Sequence, residues 1–452
     1  LHGVDIIRAG GADRLMADAD DMLRAGDNAE DVYPIIKNDA DGKPVALVSS
    51  DGQYKYLGRL VLDFDRYGHI IPESYDAAVS GAYATDDATL SSLGNPEPIA
   101  KVQEITDAVG EILDVKLGNT FGGSDVFLNG VRGFVRTEET NLGNLTADAN
   151  LAVAKQVDPE VMISFKNGGG IRAPIGTIDS ETGRPLPPPA IDGVRGEGEI
   201  SQLDIEGSLS FNNGLMIIDI RVDSLKSALE NGVSRVEFTS GRFPQVSGLS
   251  FSYHPHKPAG ERINTVVMTD EMGHPVELLV HRGEVVGDPS RTVKMVTLDF
   301  LVKFSGDDYT ELTNNEGEVE LEDHPDLADG EATFETKGTE QDALAEYLAA
   351  NYADDFFFMP EKPQSLDHRI QPLDVTMNDA PVAVDDSAET VMGMHTMVNV
   401  VANDFDIEGQ KLSIMNFTTG QHGNVTKSPN FNALRYVPKN GFTGEDMFKY
   451  VV

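Results

Sequence analysis

The chain has 452 residues, 40% of them apolar, with 75 acidic against 35 basic side chains, a formal charge of −40 and no cysteine. That length implies about two to four domains, and the apolar content excludes a disordered chain. The charge excludes nucleic acid as the partner, and the missing thiols exclude disulfides, thiolate metal sites and cysteine nucleophiles.

No run of 18 apolar residues occurs, so no segment reads as a membrane span. The acid excess fits solubility in a salty or calcium-rich secreted setting, or calcium sites built from clustered carboxylates. The chain opens on Leu1 and enters the apolar Val4-Asp5-Ile6-Ile7 directly; it stops within Phe448 to Val452. Both ends read as cut from something longer.

Residues 4 to 9 predict a short buried strand, followed by a turn at Gly10 to Asp13. Val45 to Ser49 and Tyr56 to Phe64 predict strands. Apolar residues at three- and four-residue steps from Ile99 to Leu113 predict an amphipathic helix over 97–116, with Pro98 in its first turn. It reads as a connector between domains or as the first packed helix of the second. A helix follows near Leu142 to Gln156, then a strand over Val161 to Phe165. Residues 177–199, rich in Pro, Gly and Asp, predict a long surface loop. Leu215 to Val222 predicts a strand, and Ser224 to Asn231 a helix stopped by Gly232. Strands follow at Leu249 to Tyr253, Ile263 to Met268, Val276 to Val280 and Val293 to Val302. Residues 311–335 predict an acidic loop, Glu340 to Tyr352 a helix, 363–379 a linker, and 380–452 an incomplete all-β domain. Without strict βαβ alternation, the middle region is α+β.

Four clusters carry chemistry. Asn167-Gly168-Gly169-Gly170-Ile171-Arg172 follows a buried strand. Its glycines either form a tight turn or bring backbone N–H groups close to an anion, and Arg172 offers a fork for phosphate. Arg136 to Leu145 begins at a strand end and enters a helix that Asn141 is placed to cap. Arg132 lies four residues before Arg136. Ser210-Phe211-Asn212-Asn213 and Asp299-Phe300, with Ser305-Gly306-Asp307-Asp308-Tyr309 beyond, place two phenylalanines at strand ends. They are either core or a sandwich for a nucleobase.

In this order and spacing, the clusters resemble the C-terminal domain of the 5′-nucleotidase family of metallophosphoesterases, over roughly residues 117–320. Gly241 to Leu249 with Tyr253 resembles the family's stretch between its two aromatics. The resemblance implies that Arg136 and Arg172, with Arg132 as a third, hold substrate phosphate. It places Phe211 and Phe300 on the base, Asn167, Gly169 and Asn213 beside it, and Asp307 on ribose, with Asp308 its competitor. The stretch from Phe300 to Asp307 is one residue longer than the family pattern, and Ser305 stands where glycine is expected.

Residues 1–96 resemble the last part of the family's metallophosphoesterase domain, an αββα sandwich holding a two-metal centre of zinc, manganese or a similar ion. That centre would lie mostly upstream of residue 1. Ala12 and Arg14 occupy the positions where the resemblance expects histidines; Asp13 between them is either a hard-cation ligand or a turn residue. His2, His254 and His256 read as structural. Residues 380–452 resemble a bacterial cadherin-like β-sandwich repeat, for which Asp385, Asp386, Asp404, Asp406 and Glu408 are the calcium candidates.

The expected architecture is thus multidomain α+β: the metallophosphoesterase end (1–96), a connecting helix (97–116), a nucleotidase substrate-binding domain (117–362), a linker (363–379) and a partial β-sandwich (380–452). The expected function is hydrolysis of nucleoside 5′-phosphates by a bacterial extracellular, cell-surface or periplasmic enzyme, with a nucleotide as ligand and calcium-dependent tandem repeats or surface assembly as the further partnership. The alternative is an inactive surface or matrix protein retaining a nucleotide-binding fold.

Overall fold

The computed structural model describes residues 2–9, 14–52, 54–94, 100–179, 182–313, 315–375, 378, 380–428 and 432–452. The chain divides into two compact units, Leu1–Ala108 and Val109–Val452. Asp13, the other turn residues Gly10 to Ala12, and the residues 97–99 expected to begin the connecting helix lie outside the described residues.

In the first unit, Ile6–Arg8 pairs in parallel with Pro44–Val48, which pairs antiparallel with Ile35–Asn38. The opening strand, at a sheet edge, is not the buried one expected: Ile6 is 46% exposed. Elsewhere in this unit a small core gathers Leu15, Ala17, Tyr56, Ala82 and Ala84. A short helix, Asp87–Ser92, is capped by the Asp86 carboxylate.

The helix Ala100–Gly118 has no buried residue. Its apolar stripe, Val102, Ile105, Val109, Ile112 and Leu113, is exposed.

The second unit is built on two five-stranded sheets. One runs Pro244–Ser247, Ile163–Asn167, Thr292–Leu298, Leu215–Arg221, Glu316–Glu320; the other Glu284–Val285, Pro275–His281, Ile263–Thr269, Leu249–Tyr253, Ile370–Pro372. Branched and aromatic side chains from both sheets, including Ile163, Phe165, Ile217, Val246, Phe251, Val266 and Val296, form one core. A second core packs the helices Asn141–Val157, Gln202–Ser208 and Glu340–Asn351 together through Leu142, Leu145, Ile205, Leu344 and Leu348.

Several local expectations give way to packing. The helix Val222–Val233 runs through Gly232: a Cβ there would lie 2.8 Å from the Tyr309 hydroxyl and 2.9 Å from Pro244, so this glycine serves close approach and not a stop. The strand read over 293–302 ends at Leu298, and Asp299–Phe304 is helical. The 177–199 loop holds the hairpin of Thr177–Ile178 with Pro185–Leu186. Within 311–335, Glu316–Glu320 joins the first sheet, and Ile370–Pro372, inside the expected linker, pairs in parallel with Leu249–Tyr253.

From residue 380 the described residues are all strands and turns. Thr396–Val398, Leu434–Pro438 and Gly423–Lys427 form one sheet, and Asn416–Phe417 pairs with Tyr450–Val451. Val400, Ile414, Val425 and Leu434 lie in the core of this region. It docks on the preceding sheet: Ser252 Oγ and Asn264 Nδ2 donate to the Ile407 carbonyl, and Arg282 Nε to that of Gly409.

Candidate functional site

The strand Ile163–Asn167 is buried throughout and delivers Asn167 to the foot of a cleft of about 270 Å³. Of the two readings the sequence left open for the glycines after it, Gly168 and Gly169 do not follow the anion-facing one. Gly168 N–H donates to the Phe243 carbonyl at 2.7 Å and Gly169 N–H to that of Gly241 at 2.8 Å. Their role is steric: a Cβ on Gly168 would lie 1.9 Å from the Val135 carbonyl oxygen, and one on Gly169 2.9 Å from Gly241 Cα. Three segments thereby close to backbone contact.

The cleft is lined by Arg136, Asn167, Gly169, Gly170, Arg172, Phe211, Asn213, Gly241, Phe300 and Asp307. Eight of these ten are the residues singled out from the sequence; Gly170 and Gly241 were not assigned, although both stand in motifs that were. Arg132 is exposed on the short helix Arg132–Val135 and does not line the cleft.

Arg136 follows that helix and is only 7% exposed. Its Nε is buried with no hydrogen-bond partner among the described residues. Burial, and then the charges of Arg132 and Arg172, lower its pKa, while Asp307 opposes the shift. Arg172 is exposed, with its guanidinium carbon 5.4 Å from the centroid of the Phe211 ring. Phe211 is 61% exposed and Phe300 37%, so neither is core. Neither stands at a strand end: Phe211 follows the helix Gln202–Ser208, and Phe300 lies in the first turn of Asp299–Phe304. Gly306 seats the Phe300 ring, since a Cβ there would lie 2.2 Å from it.

Asp307 receives Asn167 Nδ2 on its Oδ2 at 2.6 Å, leaving Asn167 Oδ1 buried and unpartnered among the described residues. Asp308 instead accepts Arg242 Nη2 at 2.5 Å and does not line the cleft. Ser305, Asp307 and Asp308 all have positive φ, 49°, 53° and 63°. That explains the glycine the resemblance expects at position 305 and marks the loop as strained. Tyr309, fully buried, anchors the loop by donating its hydroxyl to the Arg242 carbonyl.

Around the start of the helix Asn141–Val157 lies a carboxylate cluster that the sequence did not reveal. Asn141 does not cap its helix; Thr140 does, accepting from Gly143 N–H. Asn141 N–H donates to Glu361 at 2.8 Å. Glu139 Oε2 accepts the N–H groups of His368, Arg369 and Ile370, and Arg369 pairs with Asp148 at 2.7 Å. Burial, with the charges of Glu139, Glu138 and Glu361, pushes Asp367 up to about 9. Burial pushes Glu361 up to about 7, against the Asn141 N–H.

Both carboxyls ionise near pH 4 when unfolded. Between that pH and their folded values the native state binds more protons, so its stability falls as pH rises through that window. Replacing Asp367 with Asn should flatten this decline, leaving the variant with the higher melting temperature at pH 9 and little difference at pH 4. Melting curves across that range check it; parallel pH profiles would refute it.

Other predicted site residues are not gathered into a site. Among the described residues no three His, Cys, Asp or Glu side chains are arranged to hold a metal ion. The calcium candidates Asp385, Asp386, Asp404, Asp406 and Glu408 form no such group, although burial and then the charges of Asp404 and Asp385 raise the pKa of Asp386. Asp404 Oδ1 accepts Val384 N–H and the Tyr450 hydroxyl, and Asp406 Oδ1 accepts Gln410 N–H: these carboxylates brace turns. His256 pairs with Asp374 at 3.0 Å. No helix among the described residues is long and apolar enough to cross a membrane.

Residues 120–310 match the family model of the 5′-nucleotidase C-terminal domain, and 378–452 match that of a bacterial Ig domain. The chain is 31% identical over 288 residues to the trifunctional nucleotide phosphoesterase protein YfkN of Bacillus subtilis (strain 168), covering 63% of this chain and 16% of that protein. It is 26% identical over 236 residues to the 5′-nucleotidase of Homo sapiens, covering 51% and 36%. Among solved structures, the 5′-nucleotidase precursor from Thermus thermophilus superposes with a TM-score of 0.57 at 26% identity, covering 82% of this chain and 60% of that one. The chain thus spans less than two thirds of each of these relatives.

Proposed function

We propose that this chain carries the nucleotide-gripping part of a metal-dependent phosphohydrolase acting on nucleoside 5′-phosphates. The observation behind this is one cleft fed by six separate segments, where the buried Arg136 Nε and Asn167 Oδ1 have no protein partner among the described residues. Buried polar groups are costly without partners, and a nucleotide supplies both. Arg136 and Arg172 hold the phosphate, Phe211 and Phe300 stack the base, Asn167 and Asn213 lie beside it, and Asp307 accepts from the ribose hydroxyls.

Bound divalent metals would activate water and polarise the phosphate. Among the described residues no side-chain set fits them, so no step is derived through them. What this chain's residues contribute is orientation of the substrate and charge beside its phosphate. An extracellular, cell-surface or periplasmic setting suits the acidic composition and the terminal Ig domain.

Calorimetric titration of the 452-residue chain tests the clamp. AMP should bind more tightly than adenosine and than ribose 5-phosphate, because each lacks one half of the grip. AMP binding no better than inorganic phosphate would refute it. A non-catalytic surface protein is the second reading, favoured by Ala12 and Arg14 at the positions expected to be histidine. Phosphate release from AMP by the full-length protein with added divalent metal separates the two.

A further inference from the structure

Three elements meet at Glu340, the first residue of the helix Glu340–Asn351. Its side chain and that of Lys166 are both fully buried, with Lys166 Nζ 2.8 Å from Glu340 Oε2. The other carboxylate oxygen, Oε1, accepts the Asn213 backbone N–H at 3.2 Å and Asn213 Nδ2 at 2.7 Å. In return, Glu340 N–H donates to the Asn213 carbonyl and Gln341 N–H to Asn212 Oδ1. The loop carrying Phe211 is thereby latched to the helix, and the helix to the strand that carries Asn167.

This latch fixes the orientation of one amide. An ionised carboxylate only accepts hydrogen bonds, and Glu340 is paired with the Lys166 ammonium at 2.8 Å. Asn213 must therefore turn its NH₂ toward Glu340, since the flipped amide would set oxygen against oxygen. Its Oδ1, which takes no hydrogen bond among the described residues, is the end left for the cleft that Asn213 lines.

We infer that the buried Lys166–Glu340 pair is a specificity-determining device. It makes Asn213 an obligate acceptor, so the site selects nucleotides whose base offers an N–H donor at that edge. The amino groups of adenine and cytosine qualify, as do the ring N–H groups of hypoxanthine and uracil on the same edge; unsubstituted purine, which carries no N–H there, does not. The inference rests on the clamp reading above. Asn213 is a binding residue in it, and Lys166 and Glu340 are positioning residues.

The test compares AMP with purine ribonucleoside 5′-monophosphate, which lacks only the amino group, by calorimetric titration of the 452-residue chain. One hydrogen bond predicts that AMP binds about tenfold more tightly. In Asn213→Ala the ratio should fall to one while stacking and phosphate contacts persist. In the neutral, volume-matched double variant Lys166→Met/Glu340→Gln the amide is free to turn, and the ratio should shrink although both ligands still bind. Equal affinities in the parent chain would overturn the inference and leave the clamp standing, as would an unchanged ratio in Asn213→Ala. No binding of either nucleotide would overturn both.

Discussion

Replacing Arg172 with alanine is expected to weaken AMP binding by about a hundredfold with no change in melting temperature. A guanidinium presents a planar fork to phosphate, and each charge-assisted bond contributes about 1.5–3 kcal/mol. Two such bonds, offset by residual attraction from Arg136, give roughly that factor. The fold is spared because the Arg172 side chain is exposed, and its backbone N–H keeps its bond to Ser208. Lysine at 172 should recover part of the loss, since it supplies the charge without the fork. Calorimetric titration of the three chains decides, and an Arg172→Ala chain with parental affinity would remove Arg172 from the phosphate site. Arg136 differs: buried, unpartnered at Nε and beside like charges, it costs the unliganded fold stability in exchange for function.

Replacing Glu340 with alanine is expected to cost the second unit about 3–5 kcal/mol, the penalty for leaving one partner of a buried ion pair uncompensated. Lys166 would keep its ammonium in the interior, and Asn213 would lose its acceptor for two donors. The neutral double variant Lys166→Met/Glu340→Gln should recover most of that loss, because a pair removed together leaves no orphaned charge. Chemical denaturation of the parent and both variants measures it. If the single and double variants melt alike, the ion pair is not what Glu340 contributes.

Most of the cleft could be read from the chain because glycines, arginines and aromatics at fixed spacings constrain backbone and charge locally. What escaped notice is what depends on distant partners. The Gly168 and Gly169 N–H groups have no partner in the local sequence, and the fold supplies the distant carbonyls of Phe243 and Gly241. Phe300 followed an apolar run and read as strand, but the chain turns helical at Asp299. Asp307 and Asp308 are equivalent in composition and share a left-handed backbone; only their partners, Asn167 for the one and Arg242 for the other, separate them. The acid cluster at the start of the helix Asn141–Val157 joins Glu139 to residues more than 200 positions away, and no local pattern announces it. The acidic turns near the end are the opposite case, since spaced carboxylates satisfy a calcium pattern whether or not they converge.

The three guanidiniums at positions 132, 136 and 172 stand in a chain of formal charge −40, and that contrast gives the clamp an unusual kinetic character. At about 10 mM salt the Debye length is roughly 30 Å, so an incoming dianion meets the summed field of an acidic chain and is turned away. Near 0.15 M it is about 8 Å, a range over which the local cations dominate. Added salt therefore hastens a nucleotide's arrival while shortening its stay. On the proposed reading, a saline medium is therefore expected to speed both the uptake and the release of a nucleotide.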